Sequence, residues 1–175
     1  RLEHIVLDET SHPAARYAAA RALIALDSQA SAEKLLSAAQ QYGADLRLLV
    51  EPQLAFWQNE SARALWISRI QSSQTRPRDL VLAMRGLSVM RETSVLDDLL
   101  AIVADTKSSP DIRIEAATAA GSIVNSGLEE LAERLVRRDG PLRVVNALCA
   151  MRLLSQHTSP ASLQFFTRLA ESEES

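Results

Sequence analysis

The stretch SSPDIRIEAATAAGSIV, residues 108–124, decides the fold, because SHPAARYAAARALIAL, residues 11–26, repeats its pattern without a gap. Ser11, Pro13, Arg16, Ala19, Ala20, Ala22 and Leu26 fall opposite Ser108, Pro110, Arg113, Ala116, Ala117, Ala119 and Ile123. TRPRDLVLAMRGLSVM (75–90) places Pro77, Ala83, Met84, Leu87 and Met90 at the same offsets. DGPLRVVNALCAMRLL (139–154) repeats the pattern one residue short, with Pro141, Arg143, Ala147, Ala150 and Leu153. The prolines are spaced 64 residues apart from Pro13 to Pro77, then 33, then 31. The first interval is two periods, so a middle copy is expected near residue 44. ADLRLLVEPQLAFW lies there, with Arg47 in the arginine position and Pro52 inside the segment.

Each copy runs on into a second amphipathic stretch: SAEKLLSAAQ (31–40), ESARALWISRI (60–70), SVLDDLLAIVA (94–104), LEELAERLVRR (128–138) and SPASLQFFTRL (159–169). Leu96, Leu99, Leu100 and Val103, and likewise Leu128, Leu131 and Leu135, recur at spacings of three and four, the period of a helix with one buried stripe. No sustained alternation marks a strand. The local chemistry agrees. In Ser109-Pro110-Asp111 a hydroxyl can cap, proline takes the first helical position, and an acid favours the positive helix end. Asn125-Ser126-Gly127 breaks the chain between helices. Small residues at the sixth and ninth positions after the opening proline let the first helix of each copy approach its neighbours closely. The pattern is helix, turn, helix, five times.

Composition narrows the function. The chain has 175 residues, 47% hydrophobic but only 4% aromatic, so Ala and Leu carry the core, which favours closely packed helices. A net charge of −3 offers no basic excess for phosphate backbones, and only Lys34 and Lys107 are lysines. One cysteine, Cys149, allows no internal disulfide, and its apolar setting in VNALCAM reads as a small buried hydrophobe. No run of 18 apolar residues suits a bilayer. The start, RLEHIVLDE, has neither Met nor a signal segment, and the chain is read as a piece of a longer protein.

A period of 31–33 residues with P-x-x-R-x-x-A-A-x-A opening a helical hairpin resembles HEAT repeats, most closely the short variety of phycobiliprotein lyases. The resemblance implies an all-α fold, a right-handed α-α superhelix (HEAT-like solenoid) of about five helical hairpins. First helices would line the convex side and second helices the concave side. It divides the chain into repeats at 10–41, 42–73, 74–106, 107–138 and 139–170, with 1–9 as the second helix of a preceding repeat and 171–175 as a polar tail. A unit of this size cannot bury its apolar face alone, so stability resides in the interfaces.

Catalytic signatures are missing. His4, His12 and His157 fall in different copies without metal-ligand spacing, and His12 reads as an exposed turn residue. Asp97-Asp98 and Glu129-Glu130 are adjacent pairs about 100° apart on a helix, which suits a solvated face rather than an acid and base. Asn59-Glu60-Ser61 matches the glycosylation pattern, but Asn59 is expected to cap helix 60–70. Phe56, Trp57 and Trp66 are expected to fill the core around Pro52.

Arg16, Arg47, Arg113 and Arg143 share one position, and the resemblance implies ion pairs between repeats and carbonyl contacts for them. Asp45, Asp79, Asp111 and Asp139 are the candidate partners, and Pro13, Pro77, Pro110 and Pro141 have the structural role of opening the units. The function expected is a non-catalytic protein-interaction or spacer module of a larger, multi-domain bacterial protein. Its concave surface would bind through Arg63, Asp97, Asp98, Glu129, Glu130, Glu133 and Arg134. The partner would be a protein or a neighbouring domain of the same chain, with no cofactor, no metal and no small-molecule substrate. The alternatives are a nucleic-acid-binding domain similar to the HEAT-like DNA glycosylases and a chromophore-lyase role. A further one is a spacer in a protein similar to sugar-dehydrogenase/cytochrome redox proteins, resting on LRLLVEP…ARALWISRI (46–70). The last would place it in the periplasm; otherwise the compartment stays open.

Overall fold

Pro13, Pro77 and Pro110 each take the first turn of a helix, where a missing N–H costs nothing. The computed structural model describes residues 1–138 and 140–173, and these form eleven α-helices with no strand among them. They are α1 (Leu2–Leu7), α2 (Pro13–Ala25), α3 (Ala32–Gln41), α4 (Ala44–Phe56), α5 (Glu60–Gln71), α6 (Pro77–Val89), α7 (Leu96–Ala104), α8 (Pro110–Ile123), α9 (Glu129–Val136), α10 (Arg143–Leu154) and α11 (Pro160–Glu173). Short 3-10 turns, Gln29–Ser31 and Thr93–Val95, lead into α3 and α7. Pro141 differs from the other opening prolines: it lies in a turn, and α10 begins at Arg143. Helix α4 continues through Pro52, whose ring is exposed. Asp139 lies outside the described residues, as do Glu174 and Ser175 of the expected polar tail; α11 extends through residue 173.

The even-numbered helices α2 to α10 bury side chains at the same four offsets. They are Arg16, Ala19, Ala20, Leu23; Arg47, Val50, Glu51, Leu54; Leu80, Ala83, Met84, Leu87; Arg113, Ala116, Ala117, Ala120; and Asn146, Cys149, Ala150, Leu153. Only Arg47 and Leu80 among these are half-buried rather than buried. Offsets of 0, 3, 4 and 7 define one stripe of an α-helix, and the stripe returns after 31, 33, 33 and 33 residues. This register moves the last arginine assignment. Asn146, not Arg143, occupies the arginine position of α10, while Arg143 is an exposed first-turn residue. Aligning on Pro141 misplaced it, because that proline precedes its helix instead of starting it.

The first helices α2, α4 and α6 also stop in the same way. Asp27, Gln58 and Arg91 adopt left-handed backbone with φ of 50°, 55° and 52°. The next residue's amide then bonds back to the last turn: Ser28 to the Leu23 carbonyl, Asn59 to Leu54 and Glu92 to Leu87, each 3.0 Å. This is the Schellman closure, here built without glycine. Helix α8 departs from it, because Val124 is extended and the turn is made by Asn125-Ser126-Gly127.

Substantial packing joins each helix only to the next helix or the next but one. Consecutive first helices meet as α2–α4, α4–α6, α6–α8 and α8–α10, and the odd-numbered helices flank them, as in α7 against α8. Two glycines set the closest approaches. A Cβ on Gly121 would lie 2.5 Å from the Leu153 carbonyl oxygen of α10, and one on Gly86 would lie 2.6 Å from the Trp66 ring of α5. The accessible surface is 9886 Å². A compact monomer of 19.2 kDa would expose about 8,400 Å².

Candidate functional site

The arginine position sets the most distinctive polar contacts along the first helices. Arg113 is buried, and its Nε donates to the Val103 carbonyl at 2.9 Å, tying the end of α7 to α8. Its Nη2 reaches across to α10 and donates to Asn146 Oδ1 at 2.7 Å. Arg47 faces Asp79 of α6 at 3.4 Å, an ion pair without hydrogen-bond geometry. Arg16 Nη2 donates to the Asp8 and Ser11 carbonyls, and its guanidinium carbon lies 3.5 Å from the centre of the Tyr42 ring. Of the expected aspartate partners, Asp79 meets Arg47, whereas Asp45 lies 3.9 Å from Arg78 instead. Carbonyls and rings therefore supply most of what these cations meet.

The second-helix surface was the expected binding face, and part of it is occupied by contacts between units. Arg63 stands 3.1 Å from Glu60 and 3.6 Å from Glu92 of the following unit. Glu129 accepts the Ser159 and Ser162 hydroxyls at 2.8 and 3.2 Å. Its carboxyl is held below the usual range by its own backbone amide first and then by Ser159. Glu133 pairs with Arg168 of α11. Similar ties recur elsewhere: Glu3 accepts from Ser31 and Lys34, and Glu33 accepts from Asn59. First-turn carboxylates of α1, α3 and α9 thus tie each of these helices to the following unit.

Asp97, Asp98, Glu130 and Arg134 are different, because no ion pair or side-chain hydrogen bond ties them to another described residue. Asp98 is half-buried, and the other three are exposed. Glu130 and Arg134 line a groove of about 330 Å³ with Leu100, Leu128, Leu131 and Arg138. The groove runs between α7 and α9, which do not pack closely on one another. Its apolar floor and mixed charged rim suit a side chain from outside.

The second unit carries a polar core that the sequence alone did not reveal. Glu51 is 1% exposed and sits where the other units have Ala20, Met84, Ala117 and Ala150. Arg69 holds both its oxygens, at 2.7 and 2.9 Å, and the buried Trp66 indole N–H donates to it at 2.9 Å. The pairing explains why an acid can sit there. The four-offset register was the signal that could have found it. Of the other aromatics, Trp57 donates to Asp27 Oδ1 at 2.6 Å, and Phe56 is 72% exposed rather than core.

The remaining candidates are local structure. His12 Nδ1 accepts from the Ala14 amide, capping α2, and Asn59 Oδ1 accepts from the Ala62 amide, capping α5. His157 is buried, its Nε2–H donating to the Val124 carbonyl. Cys149 is buried in α10, and burial pushes its thiol up in pKa. No cluster of three or more His, Cys, Asp or Glu with metal-binding geometry occurs among the described residues, and no described helix is long and apolar enough to cross a membrane. No family model, no curated protein and no solved structure matches the chain.

Proposed function

We propose that the chain is a non-catalytic interaction or spacer module, a row of five HEAT-like helix pairs wound into a right-handed superhelix. The single observation that carries this reading is the buried register, the same four offsets in five helices, each packing only on near neighbours. The surface in excess of a compact monomer supports an extended row. In such a row the second helices face the inner side. The groove between α7 and α9 is then the place where a protein partner docks, on Glu130 and Arg134, with the exposed Asp97 in the first turn of α7 as a further contact. Glu129, Glu133 and Arg137 are already engaged within the chain. Of the remaining charges on α7 and from α9 to Arg138, Asp97, Asp98 and Glu130 outnumber Arg134 and Arg138, so the partner segment is basic and apolar.

The test titrates the labelled chain with an amphipathic peptide of alternating Lys and Leu, and separately with duplex DNA. The expected result is saturable amide shifts around α7 and α9, weakened about three- to tenfold by Glu130→Lys together with Asp97→Lys. Tight, salt-dependent binding of the duplex would replace this reading with nucleic-acid recognition. Peptide binding indifferent to the charge reversals would remove the assigned surface.

A further inference from the structure

Three first helices followed by another carry arginine at the shared position, α6 having Leu80 instead. In two of the three a polar group of the next first helix meets it, and α2/α4 is the exception. Arg47 has Asp79 of α6, and Arg113 has Asn146 of α10. Across from Arg16, the register puts Leu46 where α6 has Asp79, and Arg47 where α10 has Asn146. No acceptor comes from α4. In its place is a cavity of about 480 Å³ lined by Arg16, Tyr17, Tyr42, Asp45, Leu46 and Leu48. Arg16 is only 6% exposed and has no carboxylate partner. Its Nη2 is taken by two carbonyls, its Nε is shielded without an acceptor, and no described group meets its Nη1. Arg113 also lacks a carboxylate and leaves its Nη1 without an acceptor, but Asn146 of the next first helix meets it. Arg16 is buried against a ring with no acceptor from α4, and it lines an open cavity.

We propose that the α2/α4 groove binds an acidic side chain of a protein partner. The carboxylate completes Arg16, and the apolar residue beside it lies on Tyr17 and Leu48, which are 39% and 42% exposed. Asp45 does not fill this role, since its side chain is 91% exposed and directed toward Arg78. A chain-terminal carboxylate fits less well, because such ends are held by several free backbone amides, and His12 already takes the Ala14 amide. The volume matches one or two side chains. This site lies on the first helices and does not depend on the second-helix surface described above.

The test is NMR titration of the isotope-labelled chain with acetyl-Leu-Glu-Leu-amide, its Gln counterpart, and acetyl-Leu-Leu with a free carboxylate. The Glu peptide is expected to shift Tyr17, Tyr42 and the Arg16 Nε–H saturably, with a Kd on the order of 1 mM. The Gln peptide should bind at least about fivefold more weakly, as a charge-assisted contact is lost. Leu48→Glu, at the exposed rim, should abolish binding in a folded protein, and Asp45→Asn should tighten it about twofold. Equal binding of the Glu and Gln peptides would overturn the proposal, as would unmoved Tyr17 and Tyr42 resonances at about 10 mM peptide. Binding of the free-carboxylate peptide alone would overturn the side-chain assignment.

Discussion

The α2/α4 and α8/α10 interfaces hold the same arginine in the same register and differ in what lies opposite. At α8/α10, Asn146 accepts from Arg113, and Gly121 lets the α10 backbone come within van der Waals reach. At α2/α4, Leu46 and Arg47 lie opposite Arg16, the position matching Gly121 is Ile24, and a cavity remains. An arginine in this family of positions is therefore not structural or functional by itself. The residue facing it decides whether the guanidinium closes an interface or lines a cavity between the helices.

The strongest way to break the contrast is Gly121→Ile, which gives α8 the residue of α2. The added carbons meet the Leu153 and Arg152 carbonyls, which are backbone and cannot rotate away. A loss of about 3 kcal/mol or more is expected, read from urea denaturation. Next, Asn146→Leu should make α8/α10 resemble α2/α4 by leaving Arg113 another unpaired donor, at a cost of about 1–3 kcal/mol. Its partner experiment is Arg16→Met, expected to cost less, since that guanidinium has no acceptor from α4 and its hydrogen bonds go to the Asp8 and Ser11 carbonyls.

Smaller effects sharpen the comparison. Arg91→Gly should stabilise by about 0.5–1 kcal/mol, because its left-handed backbone suits glycine, and thermal unfolding will measure it. The same change at Val124, where α8 ends extended, should give no gain. The pH effect has a definite sign. The Lys34 and Ser31 contacts hold Glu3 below its usual range, and Glu129 is lowered by its own amide and then by Ser159. Depressed acids stabilise above their unfolded values and lose that contribution as pH falls through the lower folded ones. Stability should thus be flat above about pH 5 and fall below about 4.3. Glu129→Gln should make that acid limb shallower.

Much of the helical layout was legible because it depends on short-range chemistry. Three opening prolines, the three-and-four spacing of Leu96 to Val103, and the Asn59 cap all act within one turn, and each lies where its residues placed it. The gaps arose where a contact between helices decides the outcome. Arg143 looked equivalent to Arg113 because of a proline two residues before it, yet burial by α8 selects Asn146. Glu51 carries no signal of its own in LRLLVEPQL; its burial depends on Arg69 and Trp66, 18 and 15 residues on, which close over it. Of the expected binding residues, Arg63, Glu129 and Glu133 turned out to face other units, which no spacing along one helix could disclose.

The central claim is that these helix pairs stand in a row, each in contact only with near neighbours. Small-angle X-ray scattering of the monomer tests this most directly. Five pairs at helix-packing distances of about 10 Å give a radius of gyration near 19 Å and an asymmetric distance distribution. A value near 16 Å with a symmetric distribution, as for a compact domain of this length, would contradict the account.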